Sequence, residues 1–557
     1  MFSQIIKSGL LVGIIVAVSS CVTPPTTPPT AAPSVASPQA AEPSATQAPE
    51  PAAPATEALP ETIWSAVPLV QGTCCEPTAL DPAAISNTAT EGIVMNAAYE
   101  GLTRYTVEGE IEPSLATSWK ISEDSLTYTF NLREGVKFHD GSDLNAAAVL
   151  RSFYRTKAVK KGVSFLLDAV SEIKIVDDMA VEFTLKQPDV TFWFGVPRIK
   201  IISAAAVAAN EKAGDWAQDY FRENIVGTGP YQLDRWDHGR QLEMIPFEDY
   251  WQGWGGKHIQ RYILRFGVDM GSRLLAAEQD DMHIVDFAGL SDARRAAGNP
   301  DLQIIQGRAN WSQFFHWMNN QSGPLQDVKV RQAMLHAFPY EELWEVMEGY
   351  AVPLDSPVPE YMIGYCKVFE PKQDLEKARE FLAESGYADG FQVKQSYKQG
   401  NEVRRLAAEL FQEDLLGLNG EVVLEDMPWG NFVKAQSQKD TAYDFVSANV
   451  GSPVPWAGSL LYNLGHSAMQ GTGGNYSWYS NSEFDALIEE AQRLPPNDPK
   501  ADELLCEAQH KLIDDAALIP VMINQYLEVR RAELKAPPFD SYGFPYDIHL
   551  YEMYLEE

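Results

Sequence analysis

The chain is short of positive charge. Lys and Arg total 43 against 77 Asp and Glu, a formal net charge of −34. Phosphate backbones need basic grooves, so nucleic acid is excluded as a partner. Catalytic signatures are also missing: there is no GxSxG elbow, no HExxH and no GxxxxGK(S/T) phosphate loop. Gly227-Thr228-Gly229 lacks the third glycine of a dinucleotide fingerprint and runs straight into Pro230. The nine histidines show no metal-ligand spacing, and His139-Asp140-Gly141 reads as a turn. A carboxylate pair for glycoside hydrolysis would be invisible among 77 acids, which keeps a hydrolase as the alternative class. The expectation is no enzyme, no cofactor and no metal site. Only five cysteines occur in 557 residues, without a CxxC or Cys/His pattern.

Long apolar runs are absent too. Lys7 precedes an apolar stretch from Gly9 to Val18, too short to span a bilayer but suited to the core of a secretory signal. It ends in Val18-Ser19-Ser20-Cys21, similar to a bacterial lipobox in which Cys21 would be lipidated. Residues 1–21 therefore read as a lipoprotein signal, with the lipid as the sole membrane tether. Outside the cytoplasm the remaining Cys74, Cys75, Cys366 and Cys506 can form disulfides, with three complete pairings open. Adjacent Cys74 and Cys75 read as two thiols or as thiols with separate partners, in preference to a strained vicinal bond.

Residues 22–60 are Pro, Thr, Ala, Ser and Glu with almost no large apolar side chain. Such a segment cannot bury enough surface to offset ordering entropy and acts as an extended spacer. Folded sequence is expected from about Trp64. Leu126, Tyr128, Phe130 and Leu132 alternate as in a half-buried strand. Ile173 and Ile175, then Val181, Phe183 and Leu185, flank Asp177-Asp178 like a hairpin. Further on, Leu375, Ala378, Phe381 and Leu382 share a helical face, and Val403 to Phe411 make a second helix stopped at Gly417. A strand Val422-Val423-Leu424 follows. Ser482 is the expected cap of a third helix and Asp498-Pro499 opens a fourth, before a strand from Ile519 to Ile523. Strands alternating with helices indicate α/β lobes with mixed sheets.

Six blocks occur in order: Leu80-Asp81-Pro82 with Tyr99-Glu100-Gly101-Leu102; Pro113 to Trp119 with YTFNLREGVKFHDGSDLNAAAV from Tyr128; Val226-Gly227-Thr228-Gly229-Pro230-Tyr231 with Asp249-Tyr250-Trp251; Pro324 to Ala333; Asp374 to Ala378; and Tyr479 to Asp485. Together they resemble the peptide/nickel-type (family 5, cluster C) extracytoplasmic solute-binding proteins of ABC importers, which include oligopeptide-, dipeptide- and oligosaccharide-binding members. The resemblance implies a two-lobed fold with a hinge and an extra subdomain in lobe one. Lobe one would be 61–103, 225–319 and 525–557, the subdomain 104–224, and lobe two 320–524. It also implies a periplasmic or cell-surface protein that hands a small solute to permease and ATPase subunits. A sensor reusing the fold is the non-transport alternative.

Peptide-binding relatives usually carry an aspartate in a lobe-two loop, where it meets the ligand ammonium. Here the stretch from Val446 to Trp456 contains no acid, and Pro453 stands near the expected position. Gly451-Ser452-Pro453-Val454-Pro455-Trp456 looks more like loops of oligosaccharide-binding members, where aromatic faces and neutral hydrogen-bonders meet sugar. The expected ligand residues are Thr73, Cys74, Cys75, Trp311, Trp429, Asn449, Gly451, Ser452, Trp456 and Asn475, with Trp478 nearby. An oligosaccharide is slightly favoured over a peptide, and opines and nickel chelates are the remaining solutes.

Overall fold

The structure is a computed structural model, and it describes residues 59–84, 89–106, 108–286, 289–307, 313–472, 474–524, 526–536 and 549–556. The expected signal, Cys21 and most of the spacer lie outside the described residues, as does Trp311. Among the described residues no helix is long and apolar enough to cross a membrane.

Three main sheets organise the chain. A seven-stranded mixed sheet runs in the order Leu302–Gly307, Tyr526–Arg531, Ile284–Val285, Leu69–Gly72, Tyr262–Arg265, Gln241–Pro246 and Tyr231–Asp237. Its central strands Ile284–Val285, Leu69–Gly72 and Tyr262–Arg265 are parallel. A six-stranded sheet orders Ala351–Pro353, Leu518–Asn524, Gln313–Met318, Phe445–Val450, Phe391–Lys398 and Gly420–Met427. A separate four-stranded antiparallel sheet joins Ala116–Ile121, Thr127–Leu132, Ala180–Leu185 and Val170–Asp177. In Thr127–Leu132 the alternating Tyr128, Phe130 and Leu132 are the buried set, as period two requires.

The strand Gln313–Met318, expected within lobe one, pairs instead with Phe445–Val450 and Leu518–Asn524 in the second sheet. The chain thus passes between the first and second sheets twice, after Leu302–Gly307 and after Leu518–Asn524. The helix expected to be capped by Ser482 is capped one residue earlier. Asn481 is extended, and its side chain accepts from the backbone N–H groups of Glu483 and Phe484, so Ser482 is the first residue of Ser482–Gln492. Asp498 caps Pro499–Asp514 by accepting from Lys500 N–H.

Several of the six blocks meet one another as scaffold. Asp81 takes a two-pronged bond from buried Arg155, at 2.6 and 2.7 Å. The Glu100 carboxylate accepts from Thr228 Oγ1 at 2.8 Å, Tyr250 OH at 3.2 Å and Trp251 Nε1 at 3.0 Å. Burial pushes its pKa up, while those donors pull it back. A Cβ on Gly227 would stand 2.0 Å from Ala98 O, so this glycine permits close approach of two backbones. His139 donates from Nε2 to Gly229 O at 2.9 Å and accepts at Nδ1 from Gly227 N–H at 3.4 Å. Arg331 donates to the carbonyls of Leu325 and Asp515, both at 2.8 Å, and the Asp515 carboxylate accepts from Tyr479 and Asn481. Cys366 and Cys506 form a disulfide with a Cα–Cα distance of 5.3 Å.

Candidate functional site

Strand polarity places two carboxyl edges at the crossover. In the first sheet, Tyr526–Arg531 begins at the crossover and runs antiparallel to Ile284–Val285. The parallel strands Ile284–Val285 and Leu69–Gly72 therefore end on that side. In the second sheet, Gln313 pairs with Val450 and Ile523, at the end where the chain arrives from the first sheet. Phe391–Lys398 and Gly420–Met427 run parallel to Phe445–Val450 and end there too. Ligands of open α/β sheets bind outside such carboxyl ends, and small-molecule sites concentrate between domains.

Lobe one contributes the turn after Leu69–Gly72. Thr73 is buried and its N–H donates to Arg265 O at 2.9 Å. Cys74 and Cys75 follow as exposed thiols. Arg273 Nη1 ties the neighbouring strand ends together by donating to Gly72 O and Asp286 O. Gln71 Nε2 donates to Asp286 Oδ1 at 2.5 Å.

Lobe two contributes Asn449 from Phe445–Val450, Trp429 as the first residue of Trp429–Gln436, and Arg404 from the first turn of Glu402–Leu416. Arg404 Nη2 donates to Asn449 Oδ1 at 2.9 Å. Its guanidinium carbon lies 6.0 Å from the centre of the Trp429 ring. That ring stacks on Phe432 at 5.1 Å, and Trp429 is 43% exposed beside the cation. Arg404 is buried, no carboxylate pairs with it among the described residues, and Nη1 is a buried donor with no partner. Burial lowers its pKa to about 10. A desolvated cation without a counter-charge is costly, and an anionic ligand group would relieve that cost.

The other expected ligand residues are committed elsewhere. Trp456 is 3% exposed, its indole parallel to Phe194 of the extra subdomain at 6.2 Å. Ser452 Oγ donates to Val454 O at 2.7 Å, closing its own turn beside half-buried Gly451. Asn475 donates to His466 O and Tyr479 O and accepts from Ser477 Oγ and Tyr479 N–H, which uses the whole amide to fix its loop. Trp478 packs against Gly471 in that same loop. Two further contacts bridge the extra subdomain and lobe two: Arg198 Nη1 donates to Pro453 O at 2.5 Å, and Gln492 Nε2 to Asp189 Oδ1 at 3.0 Å.

The sequence reading missed Arg404. A signal was present: a cation in the first turn opposes the helix dipole, and such a local cost is kept where function needs it.

Two lobes joined by paired crossovers, each ending its parallel strands on the crossover side, give a fold of the binding-protein class. The chain belongs to the bacterial extracellular solute-binding proteins, family 5, whose model matches residues 110–472. It is 28% identical to heme-binding protein A of Haemophilus influenzae over 77% of this chain and 83% of that protein. It is also 28% identical to the glutathione-binding protein GsiB of Salmonella typhimurium, over 82% and 89% respectively. Its fold matches the ABC transporter-associated periplasmic binding protein DppA of Helicobacter pylori in complex with the peptide STSA. That match has a TM-score of 0.72 and 24% identity, covering 88% of this chain and 98% of that one.

Proposed function

We propose that the protein captures a small carboxylate-bearing solute of the peptide class in the interlobe cleft and delivers it to an ABC permease. The carrying observation is Arg404, a buried guanidinium bonded to an amide oxygen and lacking a carboxylate partner among the described residues. Hydrogen bonds between a cation and a carboxylate are shorter and stronger than neutral ones. The ligands named for the relatives, heme, glutathione and a peptide, all carry carboxylates. Trp429 offers a flat apolar face beside that charge. The reading therefore moves from a neutral oligosaccharide towards a peptide-like acid, although Trp429 with Asn449 also suits a sugar ring.

Cys21 is the proposed lipid anchor. It rests on the Val-Ser-Ser-Cys junction ahead of the proline-rich spacer.

A thermal-shift panel of short peptides, glutathione and neutral oligosaccharides tests the ligand class. A ligand bound only by the folded state stabilises it by about 2.7 kcal/mol at ~100 times its dissociation constant. Upward shifts are expected for free-acid peptides and not for neutral sugars; the reverse pattern would overturn the proposal.

A further inference from the structure

The described residues hold two kinds of cysteine pair. Cys366 and Cys506 are bonded across a Cα–Cα distance of 5.3 Å, within the usual range for a disulfide. Cys74 and Cys75 are neighbours in sequence and exposed, and the Cys75 thiol donates to Cys74 Sγ at 2.7 Å.

Two effects act on this pair. Burial of the Cys74 sulfur and the adjacent Cys75 thiol push the Cys74 thiol up to about 11. A destabilised thiolate is a scarce attacking species, so exchange at this pair is slow at neutral pH and quickens as pH rises. Consecutive Cα atoms also stand only ~3.8 Å apart, below the usual disulfide span of about 4.4–6.8 Å. A bond between neighbours is strained, and strained exposed disulfides are the readily reduced ones. A Cys74–Cys75 bond would therefore form slowly and open under mild reduction.

We infer that Cys74 and Cys75 are a redox modification site, closing reversibly to a vicinal disulfide by exchange with a small-molecule disulfide. The thiolate of one cysteine attacks the reagent RS–SR, breaks its S–S bond and expels one thiolate. The neighbouring cysteine then attacks the resulting mixed disulfide, forms the Cys74–Cys75 bond and expels the second. Two protein thiols lose two electrons and two protons, and RS–SR becomes two RSH. The modified turn is the one that follows Leu69–Gly72 at the carboxyl edge of the first sheet.

The test treats the purified full chain with oxidised glutathione, quenches it in acid, alkylates under denaturing conditions and reads the peptide containing both residues by mass spectrometry. The expected product is unalkylated and lighter than the reduced peptide by two hydrogens. Mild thiol treatment should restore two alkylations there while Cys366–Cys506 stays bonded. In Cys75→Ser the exchange should stop after its first step, leaving a glutathione adduct on Cys74. Two alkylated thiols after oxidation, a stable glutathione adduct on the unmutated chain, or a covalent dimer through this peptide would each overturn the inference.

Discussion

Arg404 donates from Nη2 to Asn449 Oδ1 at 2.9 Å and from Nε to the same oxygen at 3.3 Å. A buried cation is thereby aimed by an amide, which orients the guanidinium without neutralising it. The cost of desolvating that charge stays in the protein, and under the proposed function a ligand carboxylate offsets it.

Replacing Arg404 should therefore affect the free and bound states differently. In Arg404→Met, ligand-free stability is expected to stay within about 1 kcal/mol of the parent or to rise, because an unpaired buried charge is removed. The stabilisation by a carboxylate ligand should shrink. Urea unfolding with and without ligand reads both. A ligand-free loss above about 2 kcal/mol would make Arg404 a structural residue.

Parts of this site were legible in the sequence for definite reasons. Trp429 follows Gly420–Met427, a strand announced by its run Val422-Val423-Leu424, and Asn449 lies within Phe445–Val450. The alternation of Tyr128, Phe130 and Leu132, and the Asp498-Pro499 start, were readable because period and cap chemistry are local. Gln313–Met318 was not, since all six residues are buried and no alternation marks a face. Ile284–Val285 is too short to leave a pattern. The role of Trp456 depends on Phe194, more than two hundred residues earlier, and a long-range contact of that kind leaves no mark in a single sequence.

The Asp81–Arg155 pair is a second place where a charge is at stake, and here it is matched. Both side chains are almost fully buried and the bond is two-pronged. Asp81→Ala should cost about 3–5 kcal/mol by stranding the guanidinium. The double variant Asp81→Ala, Arg155→Met should recover part of that loss. Chemical denaturation of the three variants checks the order; a loss below about 1 kcal/mol for the single change would contradict it.

Acid should weaken the fold through its buried histidines. Burial lowers the pKa of His139 to about 4 and that of His316 to about 3. His316 is ringed by Phe338, Phe411 and Phe445. Both are neutral when folded and titrate near 6.5 when unfolded, so the unfolded state binds more protons below that pH. Stability is full above about 6.5 and falls as pH drops towards the folded values, by up to about 1.4 kcal/mol per pH unit for each histidine. Unfolding curves from pH 7.5 to 5.5 should show this fall, and His316→Phe should flatten it. An unchanged slope in that variant would remove His316 from the explanation.

The Cys366–Cys506 bond closes a long segment, with the two residues 140 positions apart. Changing both residues to serine should lower stability by about 2–5 kcal/mol without altering ligand preference, because neither belongs to the facing strand ends. Denaturant unfolding and a binding titration on the same variant separate the two effects. A changed ligand preference would tie the disulfide to the site.

The most direct measurement of the central claim is calorimetric titration of one short peptide in two forms, with a free C-terminal carboxylate and with that carboxylate amidated, against the unmutated chain and Arg404→Gln. The unmutated chain should bind the free acid at least about tenfold more tightly, a difference of about 1.4 kcal/mol, and Arg404→Gln should lose that preference. Equal binding of acid and amide by the unmutated chain, or an undiminished preference in Arg404→Gln, would contradict the account.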